Sequence, residues 1–350
     1  MRLVDFIIPN NSFHFNLVFP LVKNQKQLAK CGLKVNILNR IPTKKFGDIL
    51  IITSRFFECI DNNTTTEIID NLKHYRDLYN KVIYFDTGDS TGSTLFEVLP
   101  YVDLYLKQFV LKDLEKYQNA FYQNRIWTDY YYRKNLVEDE QLVDSVLPAK
   151  KSELSKIKCG WNYGMGKFYD NRVLEKLSRL FFSRKLLMNY NVRPGIKDND
   201  ICLRVSSNYF LKSVSFQRDI LMEWGKNNEI NVGRVSFSDY WKELKSSKIS
   251  ISPFGWGEIC IRDFESIYSG ACLLKPSVDH LNTFPNIFKS NLTYVSLDWD
   301  LNNLTESIDY ALSNDRWLKI ARSMSDTHAY YTDSSEGNAE FVNFFKELVL

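Results

Sequence analysis

Short apolar runs of strand length alternate along this chain with longer stretches whose apolar positions recur at helical spacing. Residues 4–9, 34–39, 48–53 and 82–85 are strand-like. Between the first two, residues 15–31 read as a helix stopped by Gly32; between the last two, Ile68, Ile69, Leu72, Tyr75 and Leu78 mark one face of a helix over 65–79. After the loop Asp86-Thr87-Gly88-Asp89-Ser90-Thr91-Gly92 a short helix and a strand over 104–110 complete a predicted parallel sheet of about five strands. Residues 113–191 read as helical and mixed in charge, broken by Pro148 and by the glycine-rich run Gly160 to Gly166, and are assigned to the end of a first domain and a connector. The turn Arg193-Pro194-Gly195 suits a boundary. A second array follows: strand 201–206, helix 213–227, strand 230–235, helix 238–246, strand 248–253, a helix from about 258 to a stop at Gly270, strand 271–275, strand 293–297, and a helix over 301–312 with Asp300 as its cap. The expected fold class is therefore α/β, with two Rossmann-like βαβ domains facing a cleft: residues 1–190, residues 191–335, and a C-terminal helix over 336–350 packing back on the first domain.

Length and composition agree with that division. At 350 residues the chain exceeds one ordinary core. A net charge of +3 supplies no broad basic surface for nucleic acid, and no apolar stretch reaches eighteen residues. The first residues are too short an apolar run for a signal peptide, so a cytoplasmic, soluble protein is expected. Six cysteines without C-x-x-C spacing point to buried thiols rather than zinc or disulfides.

The chemistry concentrates at residues 250–276. Gly255 and Gly257 flank Trp256 in a turn between a strand and a helix, where free backbone N–H groups and the positive helix end favour a diphosphate. Arg262 is suited to a bidentate contact with it, and Glu265, three residues on and on the same face, to the hydroxyls of a ribose. Gly255-Trp256-Gly257, Arg262, and Glu265 followed five residues later by Gly270 resemble the donor-site signature of GT-B glycosyltransferases, especially exostosin-type and bacterial surface-polysaccharide enzymes. The resemblance covers about thirty residues. It implies that Glu265 grips the ribose of a nucleotide sugar, that a basic residue neutralises the diphosphate, and that the product is a glycan or polysaccharide. It also implies a glycan, lipid-linked or protein-linked acceptor, which leaves room for peripheral membrane contact although no basic amphipathic helix stands out. Many retaining members carry two glutamates separated by seven residues; Glu258 and Glu265 are separated by six, so Glu258 is either a donor-site residue or a carboxylate satisfying the helix dipole.

Other residues extend the candidate list. Arg204, near the carboxyl end of the first strand of the second array, suits phosphate, and Lys275 and His280 stand at the same edge. Asp86 and Asp89 lie across the cleft, where an acceptor hydroxyl approaches; each is a candidate base or an ordinary turn residue. His14, after the first strand, is a candidate base or a capping histidine. Asp298-Trp299-Asp300 spells a metal-binding D-x-D but sits where a cap is needed, and no metal or cofactor is expected beyond the nucleotide-sugar substrate. The run Gly160 to Gly166 lacks the strand and helix timing of a dinucleotide loop. Three function classes remain: a metal-independent glycosyltransferase, a Rossmann-type nucleotide-sugar isomerase or oxidoreductase, and a non-catalytic carbohydrate- or nucleotide-binding protein.

Overall fold

The computed structural model describes residues 1–9, 15–44, 46–61, 64–166 and 194–350. The first half contains strands β1 (Arg2–Ile7), β2 (Leu33–Leu38), β3 (Ile49–Thr53), β4 (Lys81–Asp86), β5 (Leu104–Lys107), β6 (Phe109–Leu111) and β7 (Ile157–Cys159). Its helices are α1 (Phe15–Lys23), α2 (Gln25–Lys30), α3 (Ser54–Asp61), α4 (Thr65–Leu78) and α5 (Ile126–Arg133). The second half has β8 (Asn199–Cys202), β9 (Ser247–Ile251), β10 (Cys272–Pro276), β11 (Leu281–Thr283) and β12 (Val295–Leu297), with α6 (Lys212–Asn227), α7 (Phe237–Ser246), α8 (Ile261–Ser269), α9 (Leu304–Leu312), α10 (Arg316–Asp333) and α11 (Ser335–Val349).

The α/β class holds. One sheet runs β2-β1-β3-β4-β5-β7 and the other β12-β10-β9-β8, and every pairing within each is parallel. Strand β3 is buried along its whole length, as a central parallel strand covered on both faces must be. A capping box fixes the start of α4: Thr64 accepts from the Glu67 amide while Glu67 accepts from Thr64. Helix α11 returns to the first sheet, where Phe341 and Phe345 pack edge-on against Trp161.

The two halves share a continuous apolar seam. Trp127 meets Phe254 at 5.5 Å between ring centres, Tyr131 meets Phe216 at 4.6 Å, and β6 pairs antiparallel with β11. Polar contacts follow the same line. The Tyr131 hydroxyl donates to the Trp299 carbonyl, the Ser213 amide at the start of α6 to Asp139, and the Asn162 amide to the Phe284 carbonyl.

Several expected elements differ. The strand over 104–110 is split because the chain turns at Gln108, whose amide donates to the Thr87 carbonyl; only β5 stays in the sheet, and β7 adds a sixth strand. Among the described residues of 113–191, α5 is the sole α-helix. Residues 141–146 are instead tied down by the side-chain amides of Gln123 and Asn124, which bond the backbone there as a strand would. Residues 230–235 form no strand: Gly233 takes φ +88° and its neighbours are largely exposed. The helix expected from 258 begins at Ile261, because Asp263 closes a box with Cys260. Helix α9 begins at Leu304 behind Asn303; Asp300 is not its cap and accepts from Tyr130.

Candidate functional site

The carboxyl edges of the two parallel sheets converge on a cavity of about 640 Å³, the place where open α/β sheets offer backbone and helix ends to ligands. Asp89, Gln108, Asn162 and Tyr163 line it from the first half, and Arg204, Arg218, Arg234, Tyr240, Arg262 and Glu265 from the second, with the turn Gly255-Trp256-Gly257 between them.

That turn is held from both sides. Gly257 lies so close to the first half that a Cβ on it would stand 1.6 Å from the Asp89 carbonyl oxygen, so only glycine fits. The Gly255 amide bonds back to the Gly257 carbonyl, 3.0 Å. Arg125 donates to the Trp256 carbonyl at 3.0 Å while its guanidinium lies 5.0 Å from the centre of the Trp256 ring. Gly270, with φ +71°, ends α8 in a left-handed cap.

The second-half wall is cationic. Arg204 donates twice to Glu243, at 2.8 and 2.5 Å, which fixes its fork. Arg262, the second residue of α8, is pulled down by burial, but the neighbouring Tyr240, Cys260 and Glu265 outweigh that and raise its pKa. Glu265 accepts from the Tyr240 hydroxyl at 2.9 Å. Arg218 stands apart. It is only 7% exposed, its Nε meets no partner among the described residues, and its one recorded hydrogen bond, to the Ser206 carbonyl, is a long 3.5 Å. Burial lowers its pKa; Tyr209, whose ring it faces at 4.9 Å, works the other way, and Arg262 and Arg234 lower it further. A buried guanidinium crowded by two others is costly unless an anion joins it.

Of the expected residues, Asp89, Arg204, Gly255, Trp256, Gly257, Arg262 and Glu265 line the cavity. Asp86, Glu258, Lys275 and His280 do not. Asp86 is buried below the edge, accepting from Lys107 at 2.8 Å, Tyr105 at 2.6 Å and Gly88 at 2.7 Å. Glu258 does not cap the helix, which starts behind Cys260; fully buried, it accepts from the Thr91 amide at 3.2 Å, the Thr91 hydroxyl at 2.5 Å and the Ser90 hydroxyl at 3.5 Å, and burial raises its pKa. Lys275 is spent on Asp263 and the Glu258 carbonyl, each at 2.6 Å. His280 packs edge-on against Trp299; burial, with Lys116, Lys275 and Lys112 around it, lowers its pKa to about 3, so it is neutral. His14 lies outside the described residues. Arg218, Tyr240 and Asn162 were not singled out from the sequence. Nothing in it distinguishes Arg218 from the solvated charges of an amphipathic helix.

No family model matches this chain, and no curated protein matches it. Among solved structures it is similar to HepE from Anabaena in complex with UDP, at a TM-score of 0.46 and 9% identity over 99% of this chain and 100% of that one. It is also similar to an alpha-glucosyltransferase in complex with UDP (0.46, 11% identity, 99% and 100% covered) and to a glycosyltransferase from Rickettsia africae ESF-5 (0.43, 12%, 99% and 98%). At such identities the chemistry of the site rests on its own residues.

Proposed function

We propose that the chain is a glycosyltransferase that holds a nucleoside diphosphate sugar in the cavity between the sheets. One observation carries the reading: Arg218, buried and without a partner at Nε among the described residues, shares the cavity with Arg204, Arg234 and Arg262 beside the start of α8. A diphosphate is the anion such a group of forks and backbone donors suits. Glu265, oriented by Tyr240, accepts from the ribose hydroxyls. As the bond between the anomeric carbon and the diphosphate oxygen breaks, the guanidiniums stabilise the charge gathering on the leaving group, the part a divalent ion plays in other transferases. An acceptor hydroxyl of a glycan attacks the anomeric carbon from the first half. Asp89, whose side chain is 49% exposed and lies 3.6 Å from Arg55, is the carboxylate placed to take its proton.

Melting-temperature shifts with nucleoside diphosphates and their sugar conjugates test the binding, and release of the diphosphate in EDTA tests the chemistry. A rise with the diphosphates and turnover that survives EDTA are expected. No shift with any of them would overturn the reading, and turnover restored only by manganese or magnesium would overturn its metal-independent part.

A further inference from the structure

The glycine-rich run from Gly160 to Gly166 has no part in the diphosphate site, yet it puts a fixed amide side chain in the wall opposite the arginines. Asn162 is 1% exposed and lines the cavity. Its backbone N–H donates to the Phe284 carbonyl at 2.9 Å, and its Oδ1 accepts from the Gly164 amide at 2.8 Å. The second bond settles which end of the amide is which, since a backbone N–H must meet an oxygen. Nδ2, with two hydrogens, is left without an acceptor among the described residues. The run cannot relax to hide it. Trp161 is anchored by its indole N–H on the Leu17 carbonyl at 2.6 Å, and a Cβ at Gly164 would meet the Phe264 ring at 2.4 Å.

Resting on the nucleotide-sugar reading above, we infer that Asn162 Nδ2 donates to a hydroxyl oxygen of the donor's sugar, so that sugar recognition sits on the first-half wall. The geometry divides the cavity. Arg218 and Arg262 hold the diphosphate on the second half, and Glu265 with Tyr240 takes the ribose on the same side. The group at the other end of the diphosphate therefore points toward Asp89, Gln108 and Asn162. Glu258 stands in the chain next to the glycine turn, but its oxygens are already engaged by Ser90 and Thr91, so it offers nothing to a sugar. A neutral sugar bristles with hydroxyls that both donate and accept. Asn162 and Asp89 supply one donor and one acceptor on one wall, and an unpaired buried donor gains most from such a partner.

The test compares free diphosphates with their conjugates. UDP, GDP, ADP and the glucose conjugate of each are titrated into wild type, and the pair that binds is carried forward to Asn162→Ser. The serine hydroxyl still accepts from the Gly164 amide, as in an ST turn, but removes the Nδ2 donor. The diphosphate should bind the variant within about twofold of wild type while the conjugate weakens about tenfold, as expected for one hydrogen bond to a buried donor. Equal losses for diphosphate and conjugate would put Asn162 at the nucleotide instead, and no loss for either would remove it from the site; both overturn the inference. Should the variant melt early, wild type alone decides. Removing hydroxyls one at a time from the conjugate's glucose should reveal a position worth about tenfold, and uniform affinity across the deoxy conjugates would refute the assignment. If wild type takes none of the six ligands, the nucleotide-sugar reading itself fails, and this inference falls with it.

Discussion

The seam between the two halves and the cavity beside it use the same kinds of residue to opposite ends. Next to the seam, three buried ionisable side chains are matched within the chain. Lys107 pairs with Asp86, Lys275 with Asp263, and Glu258 takes three donors from Ser90 and Thr91. In the cavity, Arg218 has an Nε with no partner among the described residues and two like charges for neighbours. The desolvation cost is similar in both places, but only at the seam is it offset by the fold. Of the matched groups Glu258 bonds across the two halves, whereas Arg218 lines the cavity. The loop from Asp86 to Asp89 shows the contrast within four residues: its first carboxylate is sealed against Lys107 and Tyr105, and its last opens on the cavity.

Breaking these matched contacts should cost stability first. Asp86→Asn removes the charge facing the Lys107 ammonium, which keeps its bond to the Ser93 carbonyl, with both side chains nearly inaccessible; it should lower the unfolding free energy by about 3 kcal/mol in a urea titration while nucleoside diphosphate affinity stays within about twofold. Gly257→Ala forces a methyl into the Asp89 carbonyl, backbone against backbone. It should destabilise by about 2–3 kcal/mol and, because the same turn lines the cavity, weaken the diphosphate as well. Glu258→Gln is the mildest probe. Burial raises the Glu258 pKa in the folded chain, so the folded state holds its proton to higher pH than the unfolded one. Wild-type stability from this group is thus fullest below the unfolded carboxylate pKa and is lost as pH rises toward the folded value. Glutamine never ionises, and Thr91 Oγ1 can reverse its bond to it. The variant should match wild type in acid and gain on it as pH rises through that window, and a gain that shrinks with pH would contradict the assignment.

Much of the frame was legible in the residues. The alternation of strand and helix gave both parallel arrays, the apolar face from Ile68 to Leu78 marked α4, and Gly270 marked the end of α8. Gly257, Arg262 and Glu265 were visible because a turn with a tight approach and a helix start constrain residue type locally. What was hidden depends on distant partners. Glu258 looks like a helix-end carboxylate until Thr91, 167 residues earlier, is found bonded to it. Asp86 and Asp89 are equivalent in sequence, and only the Lys107 side chain separates their roles. Strand β7 is three residues long, too short for a periodicity to register. Arg218 lies in mid-helix among polar residues, and its burial comes from packing beside the turn at Gly255, which no local pattern records.

Arg218, with its Nε unmet among the described residues, is on this reading a binding group for an anion rather than a support of the fold. Arg218→Met keeps the apolar stem and removes the charge. Calorimetric titration of the nucleoside diphosphate that wild type binds, with thermal unfolding of both proteins, measures the two roles side by side. The account predicts affinity about 10–100-fold weaker, the range for a charge-assisted hydrogen bond, with a melting temperature unchanged or raised. Unchanged affinity together with a lowered melting temperature would contradict it.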